Sequence, residues 1–400
     1  MASLAVEKLS RLHDRAMASF IVDDVHGQDG DSAAAFRTFK NWCGENGLRG
    51  ECSLILGLKR DKAGMAYQLH PDYVRDVREA GEQKLFDSYM EIMTHLFLFD
   101  FTTGMMRSEG PHEGVWLLNE AVPPEEYVGY FTAITEWAAQ LGLKVNGLTI
   151  PGCGCPACVE FKKNRRIGPL TSAHLNPGVA QALLSLAEAG RLATPVAGTF
   201  IGSERSGMAG VKVLAEWGPH AVYDIPPAVA HDHLARWDND KQYIDVDAYI
   251  TSDGSSGRLA NLIALNSQTL IYYGHWQGLR PDTGLGFQPF QQVFQRLTRN
   301  YADRIEWMRP TAIAAYVHTW RHLQILPSAG VTGRSAERNG FDLQLPFAVT
   351  EPISLRVRGS SRVQIRTPSG VLIRPWKAFD GEACAIFDLV PVPGRYEFVP

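Results

Sequence analysis

Most of what would place this sequence in a special class is missing from it. Six cysteines in 400 residues do not suggest a disulfide framework. No apolar run reaches the roughly 18 residues of a membrane-spanning helix, so none is expected. The net charge is −4 and no Lys/Arg cluster carries interleaved aromatics, which argues against a nucleic-acid partner. The start, Met1 to Lys8, lacks a basic segment followed by an apolar core. It reads as the start of a cytoplasmic protein, or of one whose leader has been removed. Hydrophobic residues make up 45% and charged residues 20%, the balance of a globular chain rather than a disordered one. A length of 400 residues suits a barrel plus an accessory domain. Self-association as a homo-oligomer is left open.

The stretch that organises the chain is Ala18 to Gly27, ASFIVDDVHG. Its apolar run is long enough for a buried strand. It ends in Asp23, Asp24, His26 and Gly27. Adjacent like charges at the end of a buried strand are costly unless a metal ion or a held proton uses them. In barrels and open α/β folds, active sites sit at the C-terminal ends of strands.

Further strands are expected at Glu51–Leu58, Met90–Asp100, Val145–Ile150, Pro195–Phe200, Tyr243–Ile250, Thr269–Trp276 and Ile305–Met308. Helical spacing fills Ser32–Gly47, a run from His70 to about Tyr89, Pro123–Gly142, Asn176–Gly190, Gly257–Leu265, Phe287–Tyr301 and Pro310–Gln324. Residues 202–238 resist assignment. Strand and helix alternating at this spacing argue for parallel βαβ units closed into an irregular (β/α) barrel. From about Ser328 the texture changes to short alternating runs around Phe341, Ile353, Val363, Val371 and Tyr396. The expected architecture is therefore α/β: a distorted barrel over residues 1–327 and a small C-terminal antiparallel β-sandwich over 328–400.

The motif at Asp23-Asp24 resembles the first motif of the polysaccharide deacetylase family, carbohydrate esterases on a distorted β/α barrel. There, strand one ends in a Thr-Phe-Asp-Asp-Gly type sequence. The resemblance extends in layout over roughly residues 18 to 320, but in letters only to short motifs. It implies Asp23 as general base and Asp24 as metal ligand. Glu91-Ile92-Met93-Thr94-His95 matches the approach to the first His of the family's His-x-x-x-His pair. The place of the second His is held by Phe99, which cannot ligate. His26 and Asp100 are the nearest candidates for a third ligand. The family's Arg is absent after strand four, where Thr149-Ile150-Pro151-Gly152 stands. Its late-strand His, the general acid, falls on His275. The implied cofactor is a divalent metal, zinc, and the implied reaction is deacetylation of an acylated sugar or polysaccharide.

The residues themselves agree with part of this. A carboxylate base, an electrophile and a His acid at strand ends are what ester or amide hydrolysis requires. Around His275 stand Tyr272, Tyr273, Trp276 and Gln277, aromatics plus an amide as in a sugar-binding wall. Asp253, before a Gly/Ser-rich turn, reads either as a helix cap or as a catalytic acid. Arg258 would orient it or bind a substrate carboxylate. Cys153, Cys155 and Cys158 form a candidate structural zinc site that needs a distant fourth ligand, a redox pair, or a plain tight loop. His231-Asp232-His233 has short metal-like spacing. His112, Glu113 and His318 read as surface or core residues. The basic run Lys162 to Arg166 reads as a solvated face, or as an attractor of anionic polysaccharide. Two other functions compete: a glycoside hydrolase using Asp23, Asp24 and Asp253 without metal, and a non-catalytic barrel that binds glycan.

Overall fold

The computed structural model describes residues 4–57, 69–107, 111–150, 156–165, 171–201, 210–227, 245–327 and 340–399. The chain is α/β, a distorted (β/α) barrel and an antiparallel β-sandwich. It divides into two compact units: Ala18–Ala314, and Met1–Met17 together with Ala315–Pro400. Among the described residues no helix is long and apolar enough to cross a membrane.

The barrel strands are β1 (Ala16–Val25), β2 (Gly50–Leu54), β3 (Phe86–Met90), β4 (Gly147–Ile150), β5 (Val196–Ile201), β6 (Lys212–Trp217), β7 (His220–Asp224), β8 (Thr269–His275) and β9 (Ile305–Trp307). Their order in the sheet is β8-β1-β2-β3-β4-β5-β7-β6, with β9 also pairing with β1. β1 through β5 run parallel. β7 is parallel to β5 and antiparallel to β6, so the row ends in a hairpin. Parallel pairing needs a crossover between strands. Helices Gly30–Glu45, Pro71–Glu82, Pro124–Gln140 and Pro177–Glu188 supply the first of these. Their starts are set locally. Asp29, His70 and Asn176 each accept a backbone N–H of the first turn.

The strand period of two sorts the side chains. Phe20, Gly50 and Phe86 are cross-strand neighbours on one face. Phe20 packs there against Phe86, Phe39 and Phe290 at ring separations of 5.5, 5.8 and 5.8 Å. Gly50 is required beside it, since a Cβ would come within 2.5 Å of the Phe20 ring. On the opposite face Ile21, Glu51 and Asp87 are neighbours. Here the fold tolerates buried charge because it supplies partners. Arg309 pairs with Asp87 at 2.9 Å, and the Thr311 N–H and hydroxyl both donate to the same carboxylate at 2.7 Å. Asp87 thereby caps the helix Pro310–His322 from a distant strand.

In the smaller unit, Ala5–Lys8, Ile353–Arg358, Cys384–Leu389 and Lys377–Phe379 form one antiparallel sheet. Gln324–Pro327, Gly340–Gln344, Gly394–Val399, Gln364–Arg366 and Leu372–Ile373 form the other. The N-terminal strand, which the sequence reading placed with the barrel, pairs along its whole length with Ile353–Arg358.

Three expected elements differ. The helix expected to run to about Tyr89 ends at Glu82, and residues 86–90 are β3. Lys84 takes a left-handed turn (φ 54°) that ends the helix, and the strand begins two residues on. Residues 91–98, expected as strand, are therefore irregular. The strand expected at 243–250 is a 3-10 turn at Val246–Ala248, and 228–244 lie outside the described residues. Part of the unassigned 202–238 stretch is the hairpin of β6 and β7.

Arg309→Met leaves Asp87 buried without its ionic partner. The expected loss is about 3 kcal/mol of unfolding free energy, read by urea denaturation. A loss under about 0.5 kcal/mol would show that the pair does not hold the barrel interior.

Candidate active site

The pairing of β1 with β2 slips between Val22 and Val25. Asp23 and Asp24 sit in that slip, and Asp24 adopts a left-handed backbone at φ 59°. A bulge of this kind re-aims side chains at a strand end. The next turn of the site follows β3, where Ile92 and His95 are also left-handed, at φ 51° and 61°. Among the described residues, three of the eight non-glycine residues with positive φ thus belong to this one place. For a β-branched residue such as Ile92 this conformation is a true outlier, costing of order 1–2 kcal/mol. Strain of this sort persists only where the surroundings impose it.

The result is a buried cluster. Asp23, Asp24 and Glu91 are 1%, 2% and 0% exposed. The Asp24 N–H donates to Glu91 Oε2 at 2.8 Å. Tyr273 donates its hydroxyl to Asp23 Oδ2 at 2.7 Å and lies 3.3 Å from His275 Nε2. Gln277 Nε2 donates to Asp24 Oδ2 at 3.1 Å. His95 Nδ1 lies 2.5 Å from Glu91 Oε1 and 3.4 Å from Asp24 Oδ1. Asp24 Oδ1, Glu91 Oε1 and His95 Nδ1 form no hydrogen bond although they converge. No Lys or Arg pairs with the three carboxylates among the described residues.

The carboxylates respond differently to this crowding. Burial first, then the neighbouring Asp23 and Asp24, push Glu91 well above the usual carboxyl range. Burial, then Asp24, raises Asp23 against the pull of His275. Burial also works on Asp24, but His95, His275 and its hydrogen bonds outweigh it and hold Asp24 low. Deeper in the barrel, Glu51 is fully buried and raised by burial, with Ser53 donating to it at 2.9 Å.

Asp24, Glu91 and His95 form a set whose ligand atoms all lie within 4.8 Å of one another. Two carboxylates and an imidazole, with unpartnered buried oxygens pointing together, fit a divalent cation. Glu91 was read in the sequence only as the approach to His95. Its signal was a lone carboxylate in the apolar run Met90 to Met93, four residues before a His. His26 is buried just past β1 but is not part of that set.

The other sequence candidates fall as follows. Asp23, His275 and Tyr273 come together on β1 and β8. Gln277 reaches Asp24, so it orients a carboxylate. Trp276, expected against substrate, is fully buried against Phe36 and Phe39 at ring separations of 6.0 and 5.7 Å. It is a core residue, and so is Tyr272, packed on Phe290 and Phe294. Asp253 lies in an exposed turn, accepting from Thr251 and Ser255, and these bonds pull its pKa down to about 2. It is a turn-forming carboxylate whose hydrogen bonds do not reach the cluster. Arg258 is exposed at the start of helix Arg258–Ala264. Phe99 is buried against Phe101 and Trp137. Asp100 is half-buried and serves its own turn, accepting from the N–H groups of Thr102 and Thr103. Cys153, Cys155, His231 and His233 lie outside the described residues, and Cys158 lies on helix Pro156–Arg165.

No protein-family model matches the chain, and no curated protein sequence matches it. Among solved structures it is similar to a 4-alpha-glucanotransferase from Thermococcus litoralis, with 12% identity and a TM-score of 0.41 over 75% of this chain. The chain spans 40% of that protein's length. It is also similar to a GH30 endoxylanase from Clostridium papyrosolvens, with 9% identity and a TM-score of 0.31, covering 99% of both chains. A maltogenic alpha-amylase from Thermotoga neapolitana matches with 10% identity and a TM-score of 0.31, over 97% of this chain and 100% of that one.

Glu113 flanks the cluster and is fully buried, and that burial raises its pKa to about 7 despite the bonds it accepts. The folded state therefore holds a proton that the unfolded chain releases near pH 4.5. The stability this contributes is complete below pH 4.5 and is lost as pH rises toward 7. Relative to Glu113→Gln, the wild type should lose about 3 kcal/mol between pH 4 and pH 8, read by urea unfolding in chelator. Parallel pH curves for the two proteins would refute the shift.

Proposed function

We propose that the chain is a hydrolase that deacylates an acylated carbohydrate with the help of a divalent cation, zinc by its donor set. The observation that carries this reading is the convergence of Asp24, Glu91 and His95 at the strand ends. Glu91 takes the role that Phe99 cannot fill. The carbohydrate part rests on the likeness of the stretch Ala18 to Gly27 to the deacetylase first motif. When bound, a cation there polarises the acyl carbonyl and makes a water more acidic.

The chain's own groups divide the proton work. Asp23, raised by burial and by Asp24, takes the proton of the attacking water. Tyr273 holds the Asp23 carboxylate through its 2.7 Å bond and so fixes where that proton lands. Gln277 holds Asp24 by its other oxygen, leaving Oδ1 toward Glu91 and His95. His275, at the end of β8 and 3.9 Å from Asp23, gives a proton to the departing hydroxyl or amine.

A second reading has one observation in its favour. Glu91 is pushed up while Asp24 is held down, the split that separates an acid from a base in metal-free glycoside hydrolysis. Asp253, once a candidate in that scheme, stands in its exposed turn.

The experiment is elemental analysis of the protein after dialysis against zinc, with acetate release from acetylated oligosaccharides measured in parallel. Wild type should hold about one cation per chain, and Asp24→Ala, Glu91→Ala and His95→Ala should each lose it with at least about 100-fold of the activity. Asp23→Asn should keep the cation and lose activity by about 10²–10⁴-fold. Absence of cation in the wild type, or activity that survives Asp24→Ala, overturns the reading.

A further inference from the structure

We propose that Glu113 is the positioning residue that sets His95 in the cation-holding group; this rests on the reading of Asp24, Glu91 and His95 given above. Glu113 is fully buried and lies outside the set itself. Its carboxylate accepts the N–H of Met93 at 3.3 Å and of Thr94 at 3.1 Å, and the hydroxyl of Tyr130 at 2.8 Å. Its own N–H donates to the Leu96 carbonyl at 2.8 Å. One residue thus grips the main chain on both sides of His95.

The grip is needed because the segment is unfavourable by itself. Ile92 and His95 are both left-handed, and neither is a glycine. The bonds to Met93 and Thr94 lie between these two turns, and the bond to Leu96 follows the second. Tyr130 extends the frame. Its oxygen accepts the Phe99 N–H at 2.8 Å while its proton goes to Glu113. Thr94 adds a second tie by donating to the Phe97 carbonyl at 2.6 Å. The position that would carry a second imidazole is thereby built into the scaffold that holds the first. Nothing in the sequence around His112-Glu113 announces this, since the contact joins residues some 20 positions apart.

Partners that orient a ligating His typically change cation affinity by 10–100-fold when removed. The test titrates zinc into wild type, Glu113→Gln and Tyr130→Phe by calorimetry, with Arg309→Met as a variant destabilised elsewhere. Glu113→Gln should weaken zinc binding by 10–100-fold, Tyr130→Phe by less, and Arg309→Met should bind as wild type does. Equal affinity in Glu113→Gln and wild type overturns the proposal, as does equal weakening in Arg309→Met. A second measurement needs no cation: amide exchange at Met93 and Thr94 and the His95 ring shifts by NMR. Glu113→Gln should lose protection at both amides and move the His95 ring resonances. If wild type binds no zinc yet these signals shift, the cation reading fails and the positioning role stands. If they do not shift in a folded variant, the positioning role fails whatever the zinc result.

Discussion

The arrangement depends on three carboxylates kept out of water. Asp23, Asp24 and Glu91 are each buried at the C-terminal ends of β1 and β3, and among the described residues the basic side chains that approach them are the imidazoles of His95 and His275. Isolated ionised groups cannot stay so placed; they pair, take up a proton or bind a cation. Local features of the barrel follow from that requirement. The slip in the β1–β2 register opens the space, the Asp24 N–H satisfies Glu91, and Tyr273 and Gln277 each take one carboxylate oxygen. Asp87 is handled differently. It receives a guanidinium, a hydroxyl and a main-chain N–H, so its burial serves the scaffold. The contrast between a fully paired Asp87 and a converging, partly unpaired Asp24, Glu91 and His95 separates architecture from chemistry.

Strain is distributed in the same way. The left-handed residues Asp24, Ile92 and His95 lie where the carboxylates meet, and the clamp by Glu113 and Tyr130 lies directly beside them. Elsewhere, the helices start on ordinary caps and the sheet packs on the Phe20 cluster. A rigid and conventional periphery lets a few residues be held in costly conformations at the strand ends.

Much of the layout was legible in the chain. The run from Ala18 into Asp23-Asp24 states a buried strand with a polar end, and Thr269 to His275 states another. The short alternating runs from Phe341 onward state an antiparallel domain. Other elements were not legible, for identifiable reasons. Phe86 to Met90 sits directly after a strongly periodic helix, so its short alternation is masked by the helical pattern. Ala5–Lys8 is a four-residue strand whose partner is about 350 positions away. The aromatic run around His275 looked like a binding wall. Strand alternation instead sends Tyr273 to Asp23 and Tyr272 to the helix-side core, and the turn after His275 buries Trp276 there too.

The roles of Asp23 and His275 as proton carriers came only as what the deacetylase resemblance implies; by itself the sequence determined the class of the fold and the strand ends that carry acids and imidazoles. These are local signals, written in period and residue type. Only the tertiary structure decided that Glu91 joins Asp24 and His95, that Asp253 stays in its own turn, and that Glu113 grips the His95 loop. Each of these depends on where a strand ends in space and on a left-handed turn that no periodicity encodes, because hydrogen bonds between distant segments select that conformation.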